Sequence, residues 1–202
     1  MESAPPDPPS ISLRGEKATV RGHHRDDAGA AFVLLHEKER ILSWLTWEGP
    51  ASALELEEYY AEWCFRTEDG DDYRLGIVDN ASGALAGSIS LRFVGHPGVG
   101  DVGYWVGAPF QGHGLATEAL TLAAHWAFRY LDTQALFAWV FDGNRASMKV
   151  LERNGFVHVR SRSTEWKDGE RRREHHMSVL AEDWNERFAD WLPGREDISP
   201  PR

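Results

Sequence analysis

The sequence predicts an α+β domain, a largely antiparallel sheet with helices packed on it. Three observations predict it. Patterned segments run in the order strand, helices, strands, helix, strand, helix, strands. Two stretches, "DDYRLGIVDNASGALAGSISLRFV" and "VHVRSRSTEWKDGERRREHHMSVL", each hold two strand-like runs around a turn cluster, which is the signature of a hairpin. Between them, "GLATEALTLAAHWAFRYL" carries apolar residues at helical spacing over about 17 residues. A chain of 202 residues with 42% apolar and 27% charged residues builds one full core and is too short for two comfortable ones. The expected layout is a disordered tail over 1–12, the domain over 13–183, and a helix with a tail over 184–202.

The elements follow in order. "KATVRGHH" has strand character, and "RDDAGAAFVLLHEKE" opens with an aspartate able to cap a helix. The tryptophan-rich "ILSWLTWEGP" precedes "ASALELEEYYAEWCFRT", where Ser52 and Glu55 stand at capping-box spacing. The first hairpin turns at Asn80–Gly83, and "GDVGYWVGA" continues as a further strand. "TQALFAWVF" reads as a buried strand after the long helix. "NRASMKVLERNGF" reads as a short helix ended by Gly155 in a left-handed cap. A helix near Trp184–Trp191 follows the second hairpin.

Charge and cysteine content exclude several functions. A formal net charge of −10 argues against nonspecific nucleic-acid binding, because no excess of cations exists to displace counterions. No run is long and apolar enough to span a bilayer, and the first residues lack a signal-peptide pattern, so no membrane partner is expected. The single Cys64 rules out an intrachain disulfide and any multi-cysteine zinc site, which points to a reducing, cytoplasmic setting. His23–His24 and His175–His176 are no metal pair, since adjacent strand residues point to opposite faces. The run Arg171–Arg173 reads as a solvated edge strand.

One turn carries more chemistry than the rest. Within "VGAPFQGHGLATEAL" a strand, a glycine-rich turn and a helix start follow one another. That arrangement suits a phosphate: glycines allow close backbone approach, first-turn amides are free, and the helix dipole favours an anion. The donors would be Gln111, Gly112, His113, Gly114, Leu115 and Ala116. It is no Walker loop, since no Gly-Lys-Ser/Thr follows, and no dinucleotide fingerprint, since position 117 is Thr. From these residues alone a plain tight turn is an equal reading.

A second segment decides between them. "Q-G-H-G-L-A" matches the form Q/R-x-x-G-x-G/A through Gln111, Gly114 and Ala116, and "FDGNRASMKVLERNGF" supplies Asn144, Ser147, Gly155 and Phe156. Together these resemble the GNAT acyltransferase superfamily, and within it the ribosomal-protein N-terminal (Rim-type) acetyltransferases. "GYWV", "ATEAL", "WLTW" and "EWKDGERRREHHMSVL" sit where that family has counterparts, so the resemblance covers Lys17 to about Asp183.

The resemblance implies a sheet whose two central strands splay apart, with helices on both faces and acetyl-CoA or another acyl-CoA in the cleft, without a metal. The backbone of Tyr104, Trp105 and Val106 would pair with the pantetheine arm, and Gln111–Thr117 would hold the pyrophosphate. Asn144 would bond the pantetheine and Lys149 a phosphate; the plainer readings are a helix N-cap and a solvated helix face. Transfer needs a base for the amine, a polarised carbonyl and a donor for the leaving thiolate. The resemblance implies Glu165 as first base, from "E-W-K-D-G", and Asp101 as second. It gives Ser147 the thiolate and a backbone amide near Val106 the oxyanion. Trp44 and Trp47, three apart, would share a helical face and line the acceptor pocket, or simply pack in the core.

The function expected is acyl transfer from acyl-CoA to a primary amine, in the first place a protein or peptide N-terminus such as that of a ribosomal protein. An antibiotic or polyamine amine is the second acceptor class, and a non-catalytic acyl-CoA sensor the alternative of a different kind. A homodimer is common in the family.

Overall fold

The structure, a computed structural model, describes residues 11–37, 41–62, 66–67, 70–191 and 193–198. Cys64 and the outermost parts of both expected tails, 1–10 and 199–202, lie outside the described residues.

Strands β1 (Ile11–Arg14), β2 (Ala18–Gly22), β3 (Arg66–Thr67), β4 (Gly70–Asp79), β5 (Leu85–Val94), β6 (Val99–Val106), β7 (Ala135–Phe141), β8 (Val157–Glu165), β9 (Arg171–Leu180) and β10 (Arg195–Ile198) form one sheet. Its order is β10-β1-β2-β4-β5-β6-β7-β9-β8, with β3 beside β4. Every pairing is antiparallel except β6 with β7.

Helices cover both faces. On one lie α3 (Leu115–Tyr130) and α4 (Arg145–Arg153). Alternate residues of the inner strands point to them, and Val20, Leu75, Ile77, Ile89, Leu91, Val102, Leu136, Ala138 and Val140 form one core with Leu120, Ala123 and Leu151. On the other face α1 (Asp27–His36) and α2 (Ala53–Glu62) enclose a smaller cluster around Leu35, Leu56 and Leu85. The short α5 (Ala181–Arg187) closes the far end of α3, where buried Trp184 stacks on Phe188.

Local signals explain several junctions. Ser52 Oγ accepts the Glu55 N–H at 3.2 Å while the Glu55 carboxylate takes the Ala51 N–H at 2.6 Å, so the start of α2 is capped from both sides. At α1 it is Asp27 that accepts the His24 N–H (2.8 Å), and Arg21 grips the same carboxylate through both guanidinium nitrogens (2.7 and 2.9 Å). Glu118 of α3 accepts the N–H groups of Glu16, Lys17 and Ala18 at 2.9, 2.6 and 2.5 Å. The β1–β2 turn is thereby fastened to the helix.

Three expectations change. Residues 11–12 belong to β1 and 195–198 to β10, which pair with each other, so ordered sheet reaches into both expected tails. The run Arg171–Arg173 is not on an edge: β9 lies between β7 and β8, and β8 is the edge strand. The 3₁₀ turn Leu42–Trp44 ends at Leu45 in an extended conformation (φ −100°, ψ 143°), so Trp44 and Trp47 share no helical face.

Candidate active site

The site begins where the one parallel pairing among the described residues stops. β6 and β7 pair from Val99–Ala135 to Asp101–Phe137 and then part. Beyond that point β6 stays bound to β5 up to Val106, and β7 to β9 up to Phe141. A gap therefore opens along Val102–Val106. Backbone groups alternate sides along an antiparallel pair. The Gly103 carbonyl accepts from Ser90 Oγ (3.4 Å) and the Gly107 N–H donates to Ala86 O (2.8 Å), so these odd positions face β5. Tyr104 and Val106 then turn their N–H and C=O into the gap. Gln111 Nε2 occupies the Val106 carbonyl at 2.8 Å, which leaves the Val106 N–H and both polar groups of Tyr104. Trp105 does not join them: its carbonyl lies against Gly87 of β5, and its side chain packs on the α1/α2 cluster.

The turn after β6 runs through a 3₁₀ turn, Ala108–Phe110, into α3. Gly112 (φ +83°) and Gly114 (φ +88°) both adopt the left-handed region, and Gly114 is the N-cap. Its carbonyl accepts the Glu118 N–H at 3.1 Å. The N–H groups of Gly112, His113, Gly114, Leu115, Ala116 and Thr117 have no hydrogen-bond partner among the described residues. Six such amides stand at the positive end of a sixteen-residue helix, beside the open edge of β6, an arrangement whose donors and dipole suit an anion. Lys17 Nζ stands 3.4 Å from where a Gly114 Cβ would be, and its ammonium has no carboxylate partner among the described residues. Arg14, Lys17, Phe110 and His113 line a cleft of about 670 Å³ beside this turn.

Helix α4 forms the opposite wall. Asn144 Oδ1 accepts the Ser147 N–H at 3.1 Å, so Asn144 is its N-cap. Lys149 is exposed on the outer face. Ser147 Oγ lies 2.8 Å from Tyr104 Oη, and the same phenol reaches the Ser147 carbonyl at 3.1 Å. Burial pushes the Tyr104 phenol above its ordinary pKa, against the opposing bond to Ser147. At the far end of α4, fully buried Asn154 accepts from Thr121 Oγ1 (2.8 Å) and donates to the Thr117 carbonyl (3.1 Å). This side chain ties α4 to the first turns of α3, so both walls keep one spacing.

The two carboxylates fall in different places. Asp101 occupies the last position of β6 paired with β7, on the face of the sheet that Trp105 and Phe137 share. Burial raises its pKa, while the ion pair with Arg92 and the nearby His176 oppose the rise. Glu165 ends the edge strand, exposed and opposite Arg171. Register puts it with Ser161 and His175 on the other face. His175 and His176 lie on opposite faces of β9, as adjacent strand residues must.

A tryptophan-bearing wall stands beside the end of β7. Trp44 is 38% exposed, with its ring 3.9 Å from the Cβ direction of Gly143. Trp47 instead packs edge-on against Tyr59, with centroids 6.4 Å apart. Lys167 at the tip of the last hairpin donates to the carbonyls of Leu42 (3.0 Å) and Trp47 (3.2 Å), and Arg172 to that of Ser43 (3.4 Å). Trp166 is buried on Phe141 at 4.3 Å. The tryptophan-rich segment and the hairpin are thus one unit.

Sequence reasoning missed Lys17, Glu118, Asn154, Lys167 and the phenol of Tyr104. Glu118 lay within the noted "ATEAL", and Asn154 within "RNGF". The others act only through contacts distant in sequence.

The chain resembles known proteins in sequence and in fold. The sequence model of the acetyltransferase (GNAT) domain matches residues 17–157. N-acetyltransferase YjcK of Bacillus subtilis (strain 168), so named as a probable function, is 30% identical over 116 residues, 52% of this chain and 64% of that protein. The chain thus aligns with somewhat under two thirds of that relative. YdaF of the same organism, whose name assigns it to ribosomal N-acetyltransferases, is 29% identical over 146 residues, 70% of this chain and 79% of that protein. Among solved structures, Mycobacterium smegmatis RimJ in complex with CoA-disulfide superposes with a TM-score of 0.75 at 20% identity, over 92% of this chain and 94% of that one. At that identity the match speaks for the fold alone.

Proposed function

The chain belongs to the GNAT acetyltransferase family, and we propose that it moves the acetyl group of acetyl-CoA to a primary amine, in the first place the α-amine of a protein or peptide. The observation that carries the donor reading is the convergence of the open Tyr104/Val106 backbone edge with the six free amides of the 112–117 turn. The edge suits the amides of a pantetheine arm, and the turn suits a pyrophosphate. Lys17 adds a cation beside that turn. The name of YdaF supports a ribosomal-protein acceptor, and exposed Trp44 offers an apolar surface to an incoming chain.

The residues divide the chemistry between them. The Val106 N–H donates to the thioester oxygen as it gains charge. Of the two carboxylates, Asp101 is favoured as base, because it stands where the strands part and its environment holds protons more tightly than water does. Glu165 is the weaker choice, exposed at the end of the edge strand. The ammonium first gives one proton to solvent, and the free amine attacks. As the C–N bond forms and the C–S bond breaks, the second proton passes from nitrogen to Asp101, directly or through water, and Ser147 Oγ–H donates a hydrogen bond to the departing thiolate.

Acetyl transfer to a panel of peptide N-termini, spermidine and aminoglycosides, followed by mass spectrometry, tests the reading. The proposal expects a peptide α-amine to carry the acetyl group. Preference for a small amine would overturn the acceptor assignment, and transfer to none of them would overturn the enzyme reading.

A further inference from the structure

Tyr104 contributes two different things from one strand position. Its backbone faces the gap between β6 and β7, while its side chain rises toward α3 and α4 and ends on Ser147, 43 residues away. The phenol is enclosed, and burial keeps it protonated well beyond neutral pH. It has one proton and two acceptors in reach, Ser147 Oγ at 2.8 Å and the Ser147 carbonyl at 3.1 Å. A serine hydroxyl left to itself rotates among three staggered positions and is a weak donor.

We infer that the Tyr104 phenol is a positioning residue for the transfer step, donating to Ser147 Oγ so that the serine hydroxyl keeps its own proton free for the thiolate that leaves. This rests on the acetyl-CoA reading of the cleft. The phenol occupies one lone pair of Ser147 Oγ, fixes the rotamer and polarises the O–H, because linked hydrogen bonds strengthen one another. No proton leaves either hydroxyl. The C–S electron pair goes to sulfur, the serine hydroxyl donates to that thiolate, and the thiolate takes its proton from water afterwards. The sequence offers no tyrosine on α4 itself, so the phenol comes from the facing strand.

The test is a double-mutant cycle on Tyr104→Phe and Ser147→Ala, with acetyl-CoA affinity measured by calorimetry alongside steady-state rates. Y104F is expected to lower kcat about tenfold, with the acetyl-CoA dissociation constant within about twofold of wild type. In the S147A background the same change is expected to cost almost nothing. The Y104F defect is also expected to shrink with an acetyl thioester of a more acidic thiol, whose thiolate needs less help. An equal cost in both backgrounds, or a change confined to affinity and melting temperature, overturns the inference and leaves Tyr104 a purely structural contact. Absence of acetyl-CoA binding in the wild type would instead remove the functional reading beneath it.

Discussion

Gln111 Nε2 donates a 2.8 Å hydrogen bond to the carbonyl of Val106, closing the end of β6 onto the turn that follows it. This contact joins the two halves of the proposed donor site, since it ties the end of β6 to the start of the 112–117 turn. Gln111→Ala is expected to weaken acetyl-CoA affinity about tenfold in calorimetry, with a melting temperature close to wild type. Gln111→Glu is expected to be worse, because a carboxylate would face both a carbonyl and an incoming phosphate.

Gly114→Ala tests the cradle from the backbone side. A Cβ at φ +88° is strained and would stand 3.4 Å from Lys17 Nζ. The expected cost is about 1–2 kcal/mol of stability, read from denaturant unfolding. Acetyl-CoA affinity should fall as well, because the first amides of α3 tilt.

Asp101 links stability and activity with opposite signs. Its pKa is raised above the usual 3.8, so the folded state favours the protonated acid. Stability from this group is full below 3.8 and is lost as pH rises through the higher folded value. Activity runs the other way, since a base must be ionised. Asp101→Asn is expected to hold or raise the melting temperature at pH 7 while lowering kcat/KM by about 10²–10⁴-fold. The acid limb of the wild-type pH–rate profile should lie above 3.8 and vanish in the variant.

Asp27 behaves in the reverse sense. Burial pushes its pKa up, but the bonds from Arg21, His23 and the His24 N–H outweigh this and hold it well below 3.8. Its contribution is present above 3.8 and is lost as pH falls toward the folded value. Asp27→Ala is expected to cost about 2–4 kcal/mol at pH 7, with a smaller gap between variant and wild type in acid, measured by urea unfolding.

Lys167 offers a test of the proposed acceptor wall. Its ammonium holds the carbonyls of Leu42 and Trp47 from the other end of the chain. Lys167→Met should raise KM for the amine acceptor several-fold while leaving acetyl-CoA affinity unchanged.

Much of this architecture was legible because its signals are local. The Gln111–Gly114 turn, the long helix after it, the Asn80–Gly83 hairpin turn and the N-cap at Asn144 are each written in a few adjacent residues. What was not legible depends on contacts far apart in sequence. The pairing of Ile11 with Ile198 has no local trace. A hairpin looks alike from either side, so that pattern alone does not say which of β8 and β9 is the edge. The apolar Met177 and Val179, both buried, against a β8 that is mostly exposed, were the signal that β9 lies inside. Trp44 and Trp47 were three apart, yet Leu45 is extended and their rings go to different places. Alternation along β8 also turns Glu165 to the face opposite Asp101, a relation that the local "E-W-K-D-G" run does not carry.

One measurement bears most directly on the central claim: transfer of acetyl from acetyl-CoA to a peptide α-amine by wild type and Asp101→Asn, with acetyl-CoA affinity determined for both. The account predicts one acetyl group per peptide with wild type, transfer reduced at least a hundredfold in the variant, and equal affinities. Tight acetyl-CoA binding by both proteins, with no transfer to any amine by either, would contradict it and mark the cleft as a binding site without catalysis.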